Sequence, residues 1–473
     1  MLLIDEKAKI AHLLRRFGLG ASEAELEYYG KGGLSGAIDK LLNYEGSDEG
    51  FNLPIESFQE AKKGNLKMPG VQAWWMLRLL TTRRPLQEKM TLFWHDHFAT
   101  SGQKVLQPGL MYRQNEILRQ FATGSFRELL ANVSKDPAML FWLDNEFNVK
   151  GKPNENFARE VMELFTLGIG NYSEKDIQES ARAFTGWTIS GADRGKAQKK
   201  GPKGNFAYRE NLHDSDTKKV LGNEGNFDGD DILNILCDQP QCARFITGKI
   251  WEWFCYSKPE ASTIDQYAAI FRRNNLQIKP LLRAIMESPE FYSDRTVRSL
   301  YKNPIDFAVA PLRQLGYGEE ILSQLKPDEN GVIPRNQITP VLALMQTTKA
   351  MGMQLLFPPD VSGWDGGQAW ISSATMVERI RWSDRIFGLA GSGKGAIRIR
   401  YPSYDLLQAQ PKPHEIAAKL CSLFDSNLPA AKVDALAGVA NKAMGGELTP
   451  QNANEVAGAV SRLIFAAPEF QFA

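Results

Sequence analysis

The chain has 473 residues, of which 43% are hydrophobic and 23% charged, and its formal net charge is +1. This length suggests two to four domains or one large helical body with insertions, and the composition is that of an ordinary soluble globular protein. A nearly neutral net charge excludes a global electrostatic field that would attract nucleic acid or an anionic membrane, and we expect no nucleic-acid partner.

The cysteines and the hydropathy of the sequence further narrow the possible class of protein. The four cysteines form no C-x-x-C pair, so neither a disulfide framework nor a zinc knuckle is predicted. No stretch approaches the roughly 20 apolar residues that a membrane span needs. Charged residues interrupt the first ten positions, which therefore do not resemble a signal peptide, and the sequence as given predicts a cytoplasmic protein.

The first hundred residues contain two helical patterns of interest. After a helix predicted at 5–17, Ser22 and Glu25 form a capping box for the next helix, whereas 45–70 resembles a long loop. A further helix is predicted at 85–98. His97 lies on the apolar face of this helix, and His95 lies about 200° away around it, so the two cannot ligate one ion unless the helix ends there. Each is either a hydrogen-bonded core residue or part of a site.

Residues 153–168 form the most informative stretch. Asn154 is the predicted N-cap, and a helical projection separates the residues that follow into two faces. The apolar face holds Phe157, Val161, Met162, Leu164 and Phe165, and the polar face holds Glu155, Asn156, Arg159, Glu160, Glu163 and Thr166. This polar face is either an ion-paired surface, in which Arg159 bridges Glu155 and Glu163 one turn away on either side, or part of a shared site.

Other polar candidates flank this helix. Asp144 lies in the turn that leads into it, and the next predicted helix, 174–187, carries Asp176 and Glu179 on a polar face and ends at Trp187. The polar faces of these two helices could confront each other across a cleft, or both could face water. His213 and Asp214 follow as adjacent residues and form a candidate proton-transfer or ligand pair.

Two segments break the helical pattern. Residues 188–222 predict a β-hairpin with a basic, Gly-rich loop at 194–203, which is either a solvated tip or a site for phosphate or an acidic partner. Residues 357–370 combine prolines, glycines and tryptophans and predict a rigid turn that either packs the helices or lines a pocket. Asp360 and Trp364 are the pocket candidates in this turn.

These patterns predict a mainly α fold, a large multi-helix body with a small β-hairpin insertion. The expected parts are a helical region at 1–187, the hairpin at 188–222, a second helical region at 223–389, and a linker with C-terminal helices at 390–473. We expect them to form one contiguous helical body.

Several motifs, in one order along the chain, resemble a bacterial family catalogued as domain of unknown function 1800. They are His12-Leu-Leu-Arg-Arg-Phe-Gly-Leu-Gly, Phe93-Trp-His-Asp-His-Phe-Ala-Thr, Lys135-Asp-Pro-Ala-Met, Leu143-Asp-Asn, the helix at 153–168, Ala183-Phe-Thr-Gly-Trp, His213-Asp and Pro358-Pro-Asp-Val-Ser-Gly-Trp. The resemblance runs from about residue 10 to the Pro-Glu-Phe near the end.

The resemblance implies no activity, since the family is named for the lack of one. It implies that many members are exported and that many are encoded beside a phosphatase/sulfatase-like protein, which is then the expected partner. This chain lacks a visible signal peptide, so the exported location is not carried over.

The chain contains no G-x-S-x-G elbow, Walker loop, Rossmann fingerprint or H-E-x-x-H motif. Its mix of histidines and carboxylates suits a divalent metal as cofactor or a pair of tuned carboxyls for acid–base chemistry. The first hypothesis is therefore an enzyme, in which Arg159 would hold an anion. Its catalytic candidates are His97, Arg159, Glu160, Glu163, His213 and Asp214. Its metal-ligand candidates are His95, His97, Asp144, Glu155 and Glu163. Its further pocket candidates are Asn154, Asn156, Asp176, Glu179, Trp187, Asp360 and Trp364.

The alternative is a non-enzymatic helical module that binds a partner. In this hypothesis the same polar residues form a structural ion-pair network, and the tryptophan loop or the basic hairpin is the docking surface. Nucleic-acid binding by 194–203 is disfavoured by the near-neutral charge and the lack of a recognised module.

Overall fold

A computed structural model describes residues 5–60, 64–190, 201, 204–391 and 397–473. Within these ranges the protein is mainly α-helical and contains two small antiparallel sheets of two strands each, which confirms the predicted fold class. None of the helices in the described ranges is long and apolar enough to cross a membrane.

The chain divides into two compact units, each built from segments that are separate in sequence. Unit 1 comprises Met1–Leu86, Pro289–Leu355 and Asp365–Ala473, and unit 2 comprises Gln87–Ser288 and Leu356–Trp364.

Unit 1 is all α-helical in its described residues, apart from short 3-10 turns and isolated bridges. Its helices are α1 Glu6–Phe17, α2 Glu23–Gly30, α3 Gly33–Leu42, α4 Met68–Thr81, α16 Pro304–Gln314, α17 Tyr317–Gln324, α18 Thr339–Ala350, α19 Ser373–Ile386, α20 Ser403–Leu407, α21 Pro413–Leu423, α22 Ala430–Met444 and α23 Ala453–Ala466.

Local caps fix where several of these helices begin. Asp5 accepts a hydrogen bond from the Ala8 backbone N–H at 2.7 Å, and the capping box of Ser22 and Glu25 at the start of α2 is confirmed. Each such cap contributes about 1 kcal/mol. The 45–70 segment is mostly irregular, as predicted, with 3-10 turns at Tyr44–Gly46 and Ile55–Phe58.

Unit 2 holds both sheets and the remaining helices, except that the first two residues of α5 belong to unit 1. Its helices are α5 Pro85–His97, α6 Gly102–Val105, α7 Pro108–Gln120, α8 Phe126–Ser134, α9 Pro137–Trp142, α10 Glu155–Glu160, α11 Glu174–Ala183, α12 Gly229–Asp238, α13 Pro240–Phe254, α14 Ala261–Arg273 and α15 Ile278–Met286.

Aromatic side chains form the centre of unit 2. Phe98 packs against Trp94 and Phe165, with ring centroids 5.8 and 5.2 Å apart. Trp94 also donates its indole N–H to the Ala122 carbonyl at 2.9 Å, so its polar atom is satisfied in the core. Full burial of each such ring stabilises the fold by roughly 1.5–3 kcal/mol.

The helix predicted at 153–168 changes its winding half-way. Asn154 is its N-cap, as predicted, and α10 continues directly into a π-helical turn at Val161–Thr166. In this turn the Leu167 N–H bonds to the Met162 carbonyl, five residues back, at 2.8 Å. π-Helical turns are rare and occur frequently at functional sites.

The predicted hairpin is present. Strand β1, Trp187–Ile189, pairs antiparallel with β2, Phe206–Tyr208, and a second hairpin joins β3, Lys218–Val220, to β4, Asn223–Gly225. The predicted basic loop at 194–203 lies outside the described residues except for Gly201.

The proline- and glycine-rich turn packs on the end of α5. The Trp364 N–H donates to the Asp96 carboxylate at 2.8 Å, and Gly363 has a φ of +91°. A Cβ on Gly363 would lie 2.6 Å from the Asp96 carbonyl oxygen, closer than real Cβ contacts come. This approach therefore requires glycine.

We expect Gly363→Ala to lower the free energy of unfolding by about 2–3 kcal/mol, because it adds both a clash with backbone and an unfavourable φ. Urea unfolding measures the effect. Gly366→Ala is the matched control, since nothing lies within 4 Å of its added Cβ and its φ is −91°. Equal stability of the two variants would show that the turn does not need glycine at 363.

Candidate functional site

His97 bonds to the π-helical turn. Its ring Nε2 lies 3.1 Å from the Phe165 carbonyl oxygen. Because a carbonyl only accepts, Nε2 carries the proton in this contact. Burial, and then the charge of Lys249, lower the pKa of His97 to about 3. The side chain therefore points into the interior, as predicted, and is a neutral donor to the backbone there.

His95 uses the opposite tautomer. Its Nε2 accepts a hydrogen bond from the Leu356 backbone N–H at 3.1 Å, so in this contact the ring is deprotonated at Nε2. Its ring lies 5.4 Å from that of Trp364, and burial lowers its pKa to about 3. The two histidines of α5 thus hold two different backbone segments of unit 2.

His213 and Asp214 face different partners. His213 Nδ1 lies 3.0 Å from the Thr185 carbonyl oxygen, whereas Asp214 forms a two-pronged ion pair with Arg182 at 2.8 and 3.2 Å. The Arg182 guanidinium is the main cause that holds the pKa of Asp214 below its usual value. In this arrangement the two side chains join the end of α11 to the loop before β3.

The turn between α9 and α10 is held by amides and one ion pair. Asn154 Nδ2 donates to the Asp144 carbonyl, and Asn156 Nδ2 donates to the Leu143 carbonyl, both at 3.1 Å. The Asp144 carboxylate pairs with Lys104 at 2.7 Å, and Asp144 itself has a φ of +58°. The side chains of this motif therefore fix a tight, left-handed turn.

The polar face of α11 is bound to the second hairpin. Asp176 caps the helix at Ser173 and accepts the Leu221 N–H at 2.7 Å, while Glu179 accepts from Arg182 at 2.7 Å. Trp187 is buried at the start of β1, with its ring 5.2 Å from that of Phe184. Asp360 bonds within its own turn, to the N–H and hydroxyl of Ser362.

Arg159 is engaged by two carboxylates. It bonds to Glu174 at 2.8 and 3.0 Å and to Glu155 at 3.2 Å, at a half-exposed surface. These contacts are the one-turn bridge predicted for Glu155, and Glu174 replaces Glu163 as the second partner. A guanidinium held in this way has fewer donors left for an incoming anion.

Glu160 and Glu163, here called the glutamate pair, differ from the other motif residues. Both are half-buried, and the hydroxyl of Tyr172 donates to Glu163. Burial, and then the negative charge of Glu163, raise the pKa of Glu160. No hydrogen bond or ion pair of the Glu160 side chain is found within the described ranges. Two carboxyls with different environments are the arrangement that acid–base chemistry uses.

The predicted metal ligands do not come together. His95, His97, Asp144 and Glu155 each contact the different partners given above, and Glu163 contacts Tyr172. In the part of the chain that the structure describes, no three His, Cys, Asp or Glu side chains form a group that could hold a metal ion. Metal binding therefore stays a prediction from residue types.

A cleft of about 820 Å³ in unit 1, which we call the tyrosine cleft, was not predicted from the sequence. Ligand sites commonly have volumes of 300–1,000 Å³. Its apolar wall includes Leu80, Leu315, Leu406 and Leu423, and Tyr28 and Tyr29 lie beside them. Tyr28 is 49% exposed. Burial, and then the Glu25 carboxylate, raise the pKa of Tyr29, whose hydroxyl stays protonated.

Arg313 forms a rigid part of the cleft lining. It donates to the Leu80 and Thr82 carbonyls at 3.0 Å each, which satisfies the end of α4, and it pairs with Glu25. The Glu25 side chain also accepts the Ser22 N–H in the capping box at 2.9 Å. The one sequence signal for the cleft was a single arginine in the apolar pattern of α16, which suggests a buried charge.

Fold and site together define a mainly α-helical protein of two units, with a polar network in one unit and a ligand-sized cleft in the other. The chain matches the family model described as "Protein of unknown function (DUF1800)" over residues 12–472. It therefore belongs to that family, which confirms the resemblance seen in its motifs. No curated protein and no solved structure gave a significant match.

We expect His97→Gln to weaken the dependence of stability on acid pH. The folded-state pKa of about 3 lies below the unfolded value near 6.5, so only the unfolded chain binds this proton between those pH values. Acidification therefore costs up to about 1.4 kcal/mol of unfolding free energy per pH unit for each such histidine. Glutamine can still donate to the Phe165 carbonyl but does not titrate.

Urea unfolding at pH 7, 6, 5 and 4 measures this slope. His414→Gln is the matched control for a histidine-to-glutamine change at an exposed position, since the His414 side chain is 66% exposed. Identical slopes in wild type and His97→Gln would mean that His97 is protonated in the folded protein.

Proposed function

We propose that this protein is a binding module, that its ligand site is the tyrosine cleft, and that the polar motif residues of unit 2 are chiefly a structural network. The observation that carries the proposal is the 820 Å³ cleft, whose lining combines leucines, tyrosines and charged groups. The hydrogen bonds of the motif residues support the structural role proposed for them. Nearly all of these side chains bond to backbone groups or to one another.

The charges of the cleft suggest the kind of ligand. Its lining has four acidic side chains, Glu23, Glu25, Asp48 and Glu319, and three basic ones, Arg83, Arg313 and Lys419. These groups pair among themselves: Lys419 with Glu23 at 2.8 Å, Arg83 with Glu319 at 3.2 Å, and Arg313 with Glu25. A charged ligand would have to break such pairs.

An uncharged organic molecule with one apolar face and several hydroxyl or amide groups fits this lining best. Its apolar face would pack against the leucines and the Tyr28 ring. Its polar groups would bond to the tyrosine hydroxyls and to the outer oxygens of the paired carboxylates. The rigid attachment of Arg313 lowers the cost of ordering the site when a ligand binds.

We expect Ala24→Trp to abolish ligand binding. Ala24 is an exposed residue of α2 that lines the cleft, so an indole there fills the space without disturbing the core. The probes are a panel of neutral mono- and disaccharides and N-acetyl amino-acid amides, measured by ligand-observed NMR. A ligand at about 100 times its Kd should add about 2.7 kcal/mol to the free energy of unfolding of the wild type.

Glu27→Trp is the matched control, because Glu27 is exposed on the same helix but does not line the cleft. It should bind like the wild type. A compound that binds wild type and Ala24→Trp equally would place its site elsewhere. If no member of the panel binds, the proposed ligand class is wrong.

A second candidate function is acid–base catalysis at the glutamate pair. It is supported by the raised pKa of Glu160, by the bond from Tyr172 to Glu163, and by the π-helical turn that carries Glu163. In this function Glu160 would act as the proton donor and the Glu163 carboxylate as the base. Arg159, bonded to Glu155 and Glu174, would serve only to hold the helix.

We expect Glu163→Gln to lower the pKa of Glu160, because it removes the neighbouring negative charge. NMR titration of carboxyl-labelled glutamate measures this pKa. Glu155→Gln is the control, since Glu155 does not contribute to the raised pKa of Glu160. An unchanged Glu160 titration in Glu163→Gln would show that the two carboxyls do not act as a pair.

A further inference from the structure

Unit 1 also contains a small cavity of about 40 Å³, formed where four separate parts of the chain meet. Arg15 of α1, Lys302 before α16 and Asp425 after α21 lie in its wall, together with apolar residues such as Leu19, Ala310 and Phe424. This volume suffices for a few waters or one small ion. We call it the cationic cavity.

Within the described residues, no carboxylate lies within ion-pair distance of Lys302, although the negative charge of Asp425 acts on it. Its side chain is buried, and its Nζ lies 3.6 Å from the centre of the Phe470 ring. Across the described residues, no oxygen is found that accepts a hydrogen bond from this Nζ. Burial, and then the charge of Arg298, lower the pKa of Lys302 well below its usual value. A buried ammonium without a counter-ion is costly.

The neighbouring arginines also keep unused donors. Arg15 pairs with Asp425 and bonds to His12 Nδ1 at 3.1 Å, but its buried Nε has no partner in the described part of the chain. Arg298 bonds to the Asp425 carboxylate at 3.0 Å, and its buried Nη1 likewise has no partner there. One carboxylate thus serves two guanidinium groups.

Counting charges shows an excess of positive charge. Arg15, Arg298 and Lys302 carry three positive charges, and Asp425 and Asp306, the carboxylates nearest the cavity, carry two negative charges. Two further cations lie close by: Arg16 donates to the Ala473 carbonyl at 3.1 Å, and Arg379 donates to the Lys302 carbonyl at 2.8 Å. Among the described residues, these five cations are opposed by two aspartates and, in the chain as given, by the carboxylate of Ala473 in the same wall, so positive charge is in excess.

Two residues beside the cavity have a strained backbone conformation. Arg298 has a φ of +53° and Asp425 a φ of +48°, both in the region that favours glycine. These two strained residues are the ones that bond to each other, through the Arg298 guanidinium to the carboxylate and carbonyl of Asp425. Strain of this kind accumulates at ligand sites.

We propose that the cationic cavity binds a monovalent anion of chloride size, held by the Lys302 ammonium and the Arg15 Nε–H. The excess of positive charge favours an anion, the two aspartates in the wall favour a single negative charge on it, and the small volume sets its size. The apolar wall suits a halide, which needs few directed hydrogen bonds. A divalent oxyanion would be repelled by Asp425 and Asp306, which lie in the same wall.

The test compares thermal unfolding of the full chain in sodium chloride, sodium gluconate and sodium sulfate at equal ionic strength. Gluconate is too large for the cavity. We expect chloride at about ten times its Kd to raise Tm by about 2–5 °C over gluconate, with saturation. Lys302→Met, which keeps the buried stem, should lose this shift. The exposed Lys349→Met is the control and should keep it.

Bromide in place of chloride gives a direct measurement that needs no variant. Anomalous scattering from crystals grown in bromide should place one ion against Lys302 Nζ. Equal Tm in chloride and gluconate, or a full chloride shift in Lys302→Met, would overturn the proposal. A larger shift in sulfate than in chloride would overturn the assigned valence. The Ala24→Trp variant should keep the chloride shift, so this proposal stands or fails separately from the cleft.

Discussion

The hydrogen bond from His97 to the Phe165 carbonyl is the contact on which the polar part of unit 2 depends. The π-helical turn shifts the backbone bonding pattern by one residue, and the aromatic core around Phe98 keeps water away from the carbonyl that His97 reaches. A buried carbonyl without a donor costs about 1–3 kcal/mol. The imidazole supplies that donor through its Nε2–H, and burial favours the neutral form of the ring.

Other motif residues also form hydrogen bonds to the backbone of irregular segments. His95, His213, Asn154 and Asn156 each bond to a backbone group of an irregular segment, in addition to any other contacts. Irregular backbone cannot satisfy its own polar groups as a helix does, so side chains must do it. A run of polar motifs can therefore arise from the needs of tight turns and not only from chemistry. The glutamate pair is the exception that keeps a catalytic hypothesis open.

Features set by neighbouring residues were predictable from the sequence. The caps at Asn154 and at Ser22 and Glu25 involve residues two or three positions apart, and the inward direction of His97 follows from helical periodicity. The partner of His95 was not predictable, because Leu356 lies 261 residues away. Neither was the π-helical turn, which depends on tertiary packing. The tyrosine cleft was also not predictable from the sequence, because its lining comes from segments spread between Ser22 and Leu423.

The division of the chain has a consequence for the order of events during synthesis. Unit 1 begins with Met1–Leu86 but resumes only at Pro289, and unit 2 is completed only by Leu356–Trp364. At ribosomal rates of about 5–20 residues per second, α1 to α4 wait roughly 10–40 seconds before the next part of their unit emerges. Exposed helices such as α4, rich in tryptophan and leucine, are then candidates for chaperone binding. The ribosome thus releases neither unit as a finished domain until most of the chain has been made.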